Sequence, residues 1–191
     1  MPVPARQAGG GGSVPAGGEP KATGPKYPIG PVKDHPETGK DAWRAANDDV
    51  IVAAANRYNS ERNLLPGDAE YVTPKLMKAW QMRESGGSPE AFKTDPFQVN
   101  KRGDWADEKS KVAGLTKGQK MTPETSAEAA LKWLHYKGRI DDKGRLGPYQ
   151  GHYEGLRKYN AAPTAPGIPL GSDYANAVLN NAWASYGDWQ Q

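Results

Sequence analysis

The chain has no cysteine, only two phenylalanines and only three histidines among its 191 residues. The first absence excludes disulfides, thiolate nucleophiles and cysteine-based zinc sites. It does not exclude an oxidising compartment, because a periplasmic protein can fold without disulfides. His35, His135 and His152 lie far apart and none belongs to a His-Glu-x-x-His pattern, so a metal hydrolase is not expected and no metal or cofactor is assigned. No apolar run approaches the roughly 20 residues of a membrane span. The N-terminus lacks a charged start followed by an apolar stretch, so no signal peptide is visible. A net charge of +3 is too small and too scattered to argue for nucleic acid.

What is present in excess is tryptophan and tyrosine, six and nine residues respectively. Each combines a flat apolar body with a polar handle, which suits surfaces that grip polar, ring-shaped ligands and equally suits a core with a wet edge. The length corresponds to about one domain. Residues 1–38 are expected to be a linker or tail, since proline and glycine fill 16 of the 38 positions and apolar residues are isolated. Such a segment cannot bury enough surface to offset the entropy of ordering it. Its natural use is as a spacer behind an upstream domain of the same polypeptide. The folded domain is therefore placed at 39–191.

Within that domain the apolar periodicity is helical. Trp43, Ala46, Val50, Ala54 and Tyr58 share one face of a helix expected over about Asp41 to Ser60. Thr73-Pro74 starts a second helix, on which Leu76, Trp80 and Glu84 stack at i, i+4 and i+8, and Gly86-Gly87 ends it. Proline and glycine break up residues 88–121, where Ala91 to Val99 could hold a strand or two. Thr122-Pro123-Glu124 starts a helix to about Tyr136, with Ala127, Ala130, Leu131 and Leu134 inward. Asp141 to Gly144 reads as a turn, Tyr149 to Tyr159 as a short helix weakened by Gly151 and Gly155, and Ser172 as the cap of a last helix to about Trp183. In the tail, Trp183, Tyr186 and Trp189 are spaced by three and are expected to pack back on the domain despite Gly187. The fold class read from these elements is mainly α, with a small β or irregular insert after the second helix.

Glu84 is oddly placed for a surface charge. It lies at a helix C-terminus, where the macrodipole disfavours a carboxylate by roughly 0.3–1 kcal/mol, and it continues an apolar stripe. Both effects disfavour the ionised form. A carboxylic acid that keeps its proton near neutrality is what protonating a glycosidic oxygen requires. A plain helix-end charge is the alternative reading.

Three motifs weigh on that choice. Glu84-Ser85-Gly86-Gly87 resembles the Glu-Ser-Gly-Gly signature of the lytic transglycosylase and goose-type lysozyme superfamily, in which the Glu ends a helix and is the catalytic acid. Asp95-Pro96-Phe97-Gln98-Val99-Asn100 resembles the second motif, Gly-Leu-Met-Gln-Val, with Asp95 and Pro96 in place of Gly and Leu, and Phe97 in place of Met. Gln98 to Arg102 is also similar to a goose-type stretch, with Asn100 where an Asp is usual. Lys158-Tyr159-Asn160-Ala161 is similar to Tyr-Asn-Ala-Gly but lacks the final Gly, and Tyr174 falls where the superfamily has a cleft Tyr. The motifs occur in family order over about residues 40 to 183. The resemblance implies an α+β lysozyme-like domain that cuts the glycan strands of bacterial peptidoglycan between N-acetylmuramic acid and N-acetylglucosamine, with Glu84 as general acid.

The second catalytic role stays open. Asp95 is the first candidate for a second carboxylate, then Asp104 and Asp107, then Asp141 or Asp142. For each, a turn or surface role is the alternative. The superfamily's transglycosylases need no second carboxylate: the muramic-acid hydroxyl attacks and an anhydro sugar forms. Candidate substrate contacts are Ser85, Gln98, Asn100, Tyr159, Asn160 and Tyr174. Gln98 and Asn100 suit acetamido and hydroxyl groups. Tyr159 and Tyr174 can stack on sugar or hydrogen-bond to Glu84, and Asn160 can equally serve a helix end. Trp105 lines the cleft or the core. The expected partners are peptidoglycan strands and an immunity protein, with no nucleic acid, no membrane and a monomeric state. Delivery as a secreted antibacterial effector, such as one carried by a type VI secretion system, is the expected setting, with a phage-type lysin and a non-catalytic peptidoglycan-binding module as alternatives.

Overall fold

The computed structural model describes residues 39–101, 105, 106, 108–184 and 186. The expected spacer over 1–38, the candidate carboxylates Asp104 and Asp107, and Trp189 lie outside the described residues. Those described are mainly helical: a 3₁₀ segment Gly39–Ala45, then α1 Asp48–Glu61, α2 Pro74–Ser85, α3 Pro89–Thr94, α4 Glu108–Val112, α5 Pro123–Arg139, α6 His152–Tyr159 and α7 Ser172–Ala184.

Helix α2 is the centre. It begins where the sequence demands, with the Thr73 hydroxyl accepting from Leu76 N at 3.2 Å and Pro74 in the first turn, where its missing N–H costs nothing. Helices α1, α3 and α7 pack around it, so nine of its twelve side chains are buried. Trp80 is fully enclosed, with the rings of Phe97 and Tyr159 meeting it edge-on at 4.9 and 4.8 Å. Long helix α5 lies against α1 and α6, and α6 joins it to α7. Its Thr122 capping box and its inward Ala127, Ala130, Leu131 and Leu134 match the sequence pattern. Gly155 has a packing reason: a β-carbon there would come within 2.9 Å of a Leu134 methyl and 3.1 Å of the Leu134 carbonyl oxygen, so glycine lets α5 and α6 approach.

Four local expectations are corrected. Among the described residues there is no strand, only an isolated antiparallel bridge between Ile140 and Leu146. The segment from Ala91 instead opens in helix α3, because Ser88 caps it through Ala91 N at 3.2 Å and Pro89 fits its first turn. Phe92 is its one buried side chain. The expected continuous first helix is broken at Ala46-Asn47: the Lys78 ammonium donates to the Arg44 carbonyl at 2.5 Å, the acceptor that Asp48 N would use in a continuous helix. Lys78 also pairs with Asp48 at 2.6 Å, and the Asn47 amide donates to Phe92 O at 2.7 Å. Helix α6 starts at His152, not Tyr149, because Gly151 turns the chain at a φ of +97°. Ser172 does not cap α7 from outside; it is the first helical residue, and its hydroxyl donates back to Pro169 O at 2.7 Å.

Candidate active site

The end of α2, the turn after α3 and the end of α6 surround a cleft of about 410 Å³, lined by Glu84, Gln98, Lys101, Tyr159, Asn160, Ala161 and Ala162. Residues from all three motifs therefore meet across long stretches of chain. Glu84 is half-buried in the last turn of α2. The Tyr174 hydroxyl, from the first turn of α7, donates to Glu84 Oε1. Burial, reinforced by the Glu84 carboxylate, pushes the Tyr174 phenol well above its ordinary range. Tyr174 thus keeps its proton and acts as a donor that fixes one oxygen of Glu84.

The second wall is the turn Asp95–Asn100. Gln98 sits there at a φ of +52°, a left-handed conformation that side chains other than Gly and Asn rarely adopt. Each neighbouring residue is tied down. Buried Ser85 donates to Pro96 O at 2.7 Å, Phe97 N donates to Ser126 Oγ at 3.1 Å, and Tyr159 donates to Phe97 O at 2.8 Å. Gln98 N and Nε2 both donate to Asp95 O, at 2.9 and 3.0 Å.

The predicted site residues thus divide into two groups. Glu84, Gln98, Tyr159 and Asn160 line the cleft, and Tyr174 stands directly behind Glu84. Ser85, Asp95 and Asn100 do not line it. Ser85 joins α2 to the turn. Buried Asn100 donates to Thr116 O at 3.2 Å and Gln119 O at 3.3 Å and accepts from Gly118 N at 3.2 Å, which fastens the loop before α5. The Asp95 carboxylate accepts from Ser126 Oγ, Val99 N and Asn100 N. Asp141 and Asp142 lie on the α5–α6 turn, paired with Arg145 and Arg157. Trp105 is half-buried against the core. Among the described lining residues Glu84 is the only carboxylate, and Lys101 is a cleft cation that sequence reasoning did not single out. Its neighbour Gln98 was the available signal.

His135 and His152, distant in sequence, flank the Tyr149 ring at 5.6 and 5.7 Å. The Tyr71 carbonyl can only accept, so His152 Nε2 donates to it at 2.8 Å and Nδ1 accepts from Tyr149 OH at 2.7 Å: a neutral ring, its pKa lowered by burial. Burial, then Arg62 and Arg139, lower His135 to about 4. Its 3.3 Å contact with Glu70 is consequently not an ion pair at neutral pH. Among the described residues no cluster of three or more acidic, histidine or cysteine side chains could hold a metal, and no helix is long and apolar enough to cross a membrane. Comparison of the chain with protein-family models, curated proteins and solved structures found no match.

Proposed function

We propose that this protein cleaves the glycan strands of bacterial peptidoglycan within a lysozyme-like domain, with Glu84 as general acid. The observation that carries this reading is the meeting of Glu84, Gln98 and the Tyr159-Asn160 pair in one cleft, with Tyr174 donating to Glu84. A general acid must sit in a cleft, be held in one rotamer and be flanked by groups that recognise the sugar, and these residues meet those requirements. The Glu84 carboxyl protonates the glycosidic oxygen as the C1–O bond breaks. Gln98 and Asn160 offer donors and acceptors to acetamido and hydroxyl groups, and the Lys101 ammonium suits a wall polymer rich in carboxylates.

Two routes are open to such an acid, and the first needs no second carboxylate. In it, the ionised Glu84 takes the proton of the muramic-acid C6 hydroxyl, whose oxygen attacks C1 and leaves a 1,6-anhydro end. Hydrolysis, in which water attacks instead, is the other. Mass spectrometry of fragments released from purified peptidoglycan separates them, since anhydro ends weigh one water less than reducing ends. Chitin oligomers serve as the control for a general N-acetylglucosaminidase. Sedimentation of the protein with peptidoglycan, with no soluble fragments released, would replace the enzyme by a binding module. Delivery to the target's wall as a secreted effector is the setting that accompanies this proposal.

A further inference from the structure

The Asp95 side chain is more extensively bonded than a surface turn requires. Oδ1 accepts from Ser126 Oγ at 2.6 Å and from Val99 N at 3.2 Å, and Oδ2 accepts from Asn100 N at 2.8 Å. The two backbone donors follow Gln98 directly, so the carboxylate clamps the chain immediately beyond the left-handed residue. Its own backbone carbonyl takes Gln98 N and Gln98 Nε2. Ser126 is fully buried and also receives Phe97 N, so the clamp is anchored in α5 and not in the turn itself. Both sides of the strained residue are thereby fixed, which is the condition under which such a conformation persists.

We propose that Asp95 is the positioning residue of the cleft: its carboxylate, locked by Ser126, holds the left-handed turn that presents Gln98 beside Glu84, and it acts on the substrate only through Gln98. The proposal rests on the glycan-cleaving reading of the cleft, but its geometry can be tested without substrate. An Asp95→Asn variant puts an NH₂ where one of the carboxylate oxygens accepts a hydrogen bond, so the turn loosens. In ¹⁵N-labelled protein the Gln98 side-chain amide resonances should move towards those of a free glutamine amide; unchanged resonances would overturn the clamp.

The activity arm is a double-mutant cycle on peptidoglycan, with kcat and KM measured for Asp95→Asn, Gln98→Ala and the pair. Asp95→Asn alone should lower kcat/KM by about 10–100-fold, whereas in the Gln98→Ala background it should cost less than about threefold. Multiplying losses would make Asp95 an independent participant and overturn the proposal. Should Asp95→Asn not fold, Ser126→Ala removes one clamp partner and takes its place, with a smaller loss that must also vanish beside Gln98→Ala. A wild-type protein that releases no fragments, combined with a Gln98 amide that loosens in Asp95→Asn, would sink the glycan reading and leave the clamp standing.

Discussion

Replacing Glu84 by Gln separates catalysis from folding, because the two effects differ in size. The substitution keeps a carbonyl oxygen for the Tyr174 hydroxyl. When Glu84 is ionised that bond is to a charged group, worth about 1.5–3 kcal/mol, and the substitution makes it a neutral one worth about 0.5–1.5 kcal/mol. Against that loss of about 1 kcal/mol stands relief of a carboxylate from the negative end of α2, worth about 0.3–1 kcal/mol. These two terms together change stability by less than about 1 kcal/mol in either direction. Losing the proton donor should cost about 10²–10⁴ in rate, or about 2.7–5.4 kcal/mol in the barrier. The assay is release of soluble fragments from purified peptidoglycan, run beside a urea titration of the same preparation. Near-normal release by a folded Glu84→Gln protein would refute the assignment of the acid. A rate loss matched by an equal loss of stability would refute the claim that the residue is held for chemistry.

Tyr174→Phe removes the donor that fixes Glu84 and should lower kcat about 10–100-fold, within the range set by one charge-assisted bond, with KM nearly unchanged; a changed KM and unchanged kcat would assign Tyr174 to binding instead. Both His135 and His152 have folded pKa values depressed below the unfolded 6.5, so neither penalises the fold above that pH. As pH falls from about 6.5 towards about 4 the unfolded chain takes up protons that the folded one refuses, and stability is lost, with His135 contributing about 2 kcal/mol once its solvent screening is allowed for. Denaturant midpoints at pH 7 and pH 5 should differ in that direction, and His135→Gln should shrink the difference. Deleting residues from Ala184 onward removes buried Tyr186 and should lower the melting temperature by several degrees, at about 1.5–3 kcal/mol for a buried aromatic; an unchanged melting temperature would mean that Tyr186 contributes nothing there.

Much of the helical layout was legible because local chemistry and tertiary packing agree. Thr73-Pro74 and Thr122-Pro123 are start signals that work within one turn of chain, and the stripe of Leu76 and Trp80 announced a buried face that α2 indeed has. The spacing of Glu84 from Trp80 placed Glu84 at the end of that face. Lys78 hid the break in the first helix: its ammonium takes a carbonyl from a residue 34 positions earlier, and no periodicity records such a bond. Ala91 to Val99 misled for a related reason, since a short segment with two prolines nearby has too few positions to separate helix from strand, and Ser88 decided it.

The sequence alone determined which residue types and motifs were available and on which helix faces they lay, because caps and periodicity act over a few residues. It could not divide the candidate residues by role. Asp95, Ser85 and Asn100 belong to the same motifs as Glu84 and Gln98, yet their polar atoms are used by Ser126, Pro96 and Thr116 from elsewhere in the chain. Tyr174 reaches Glu84 across 90 residues only because α7 packs on α2. Whether a polar side chain faces the cleft or fastens its wall depends on which distant donor reaches it first, and only the tertiary structure supplies that donor.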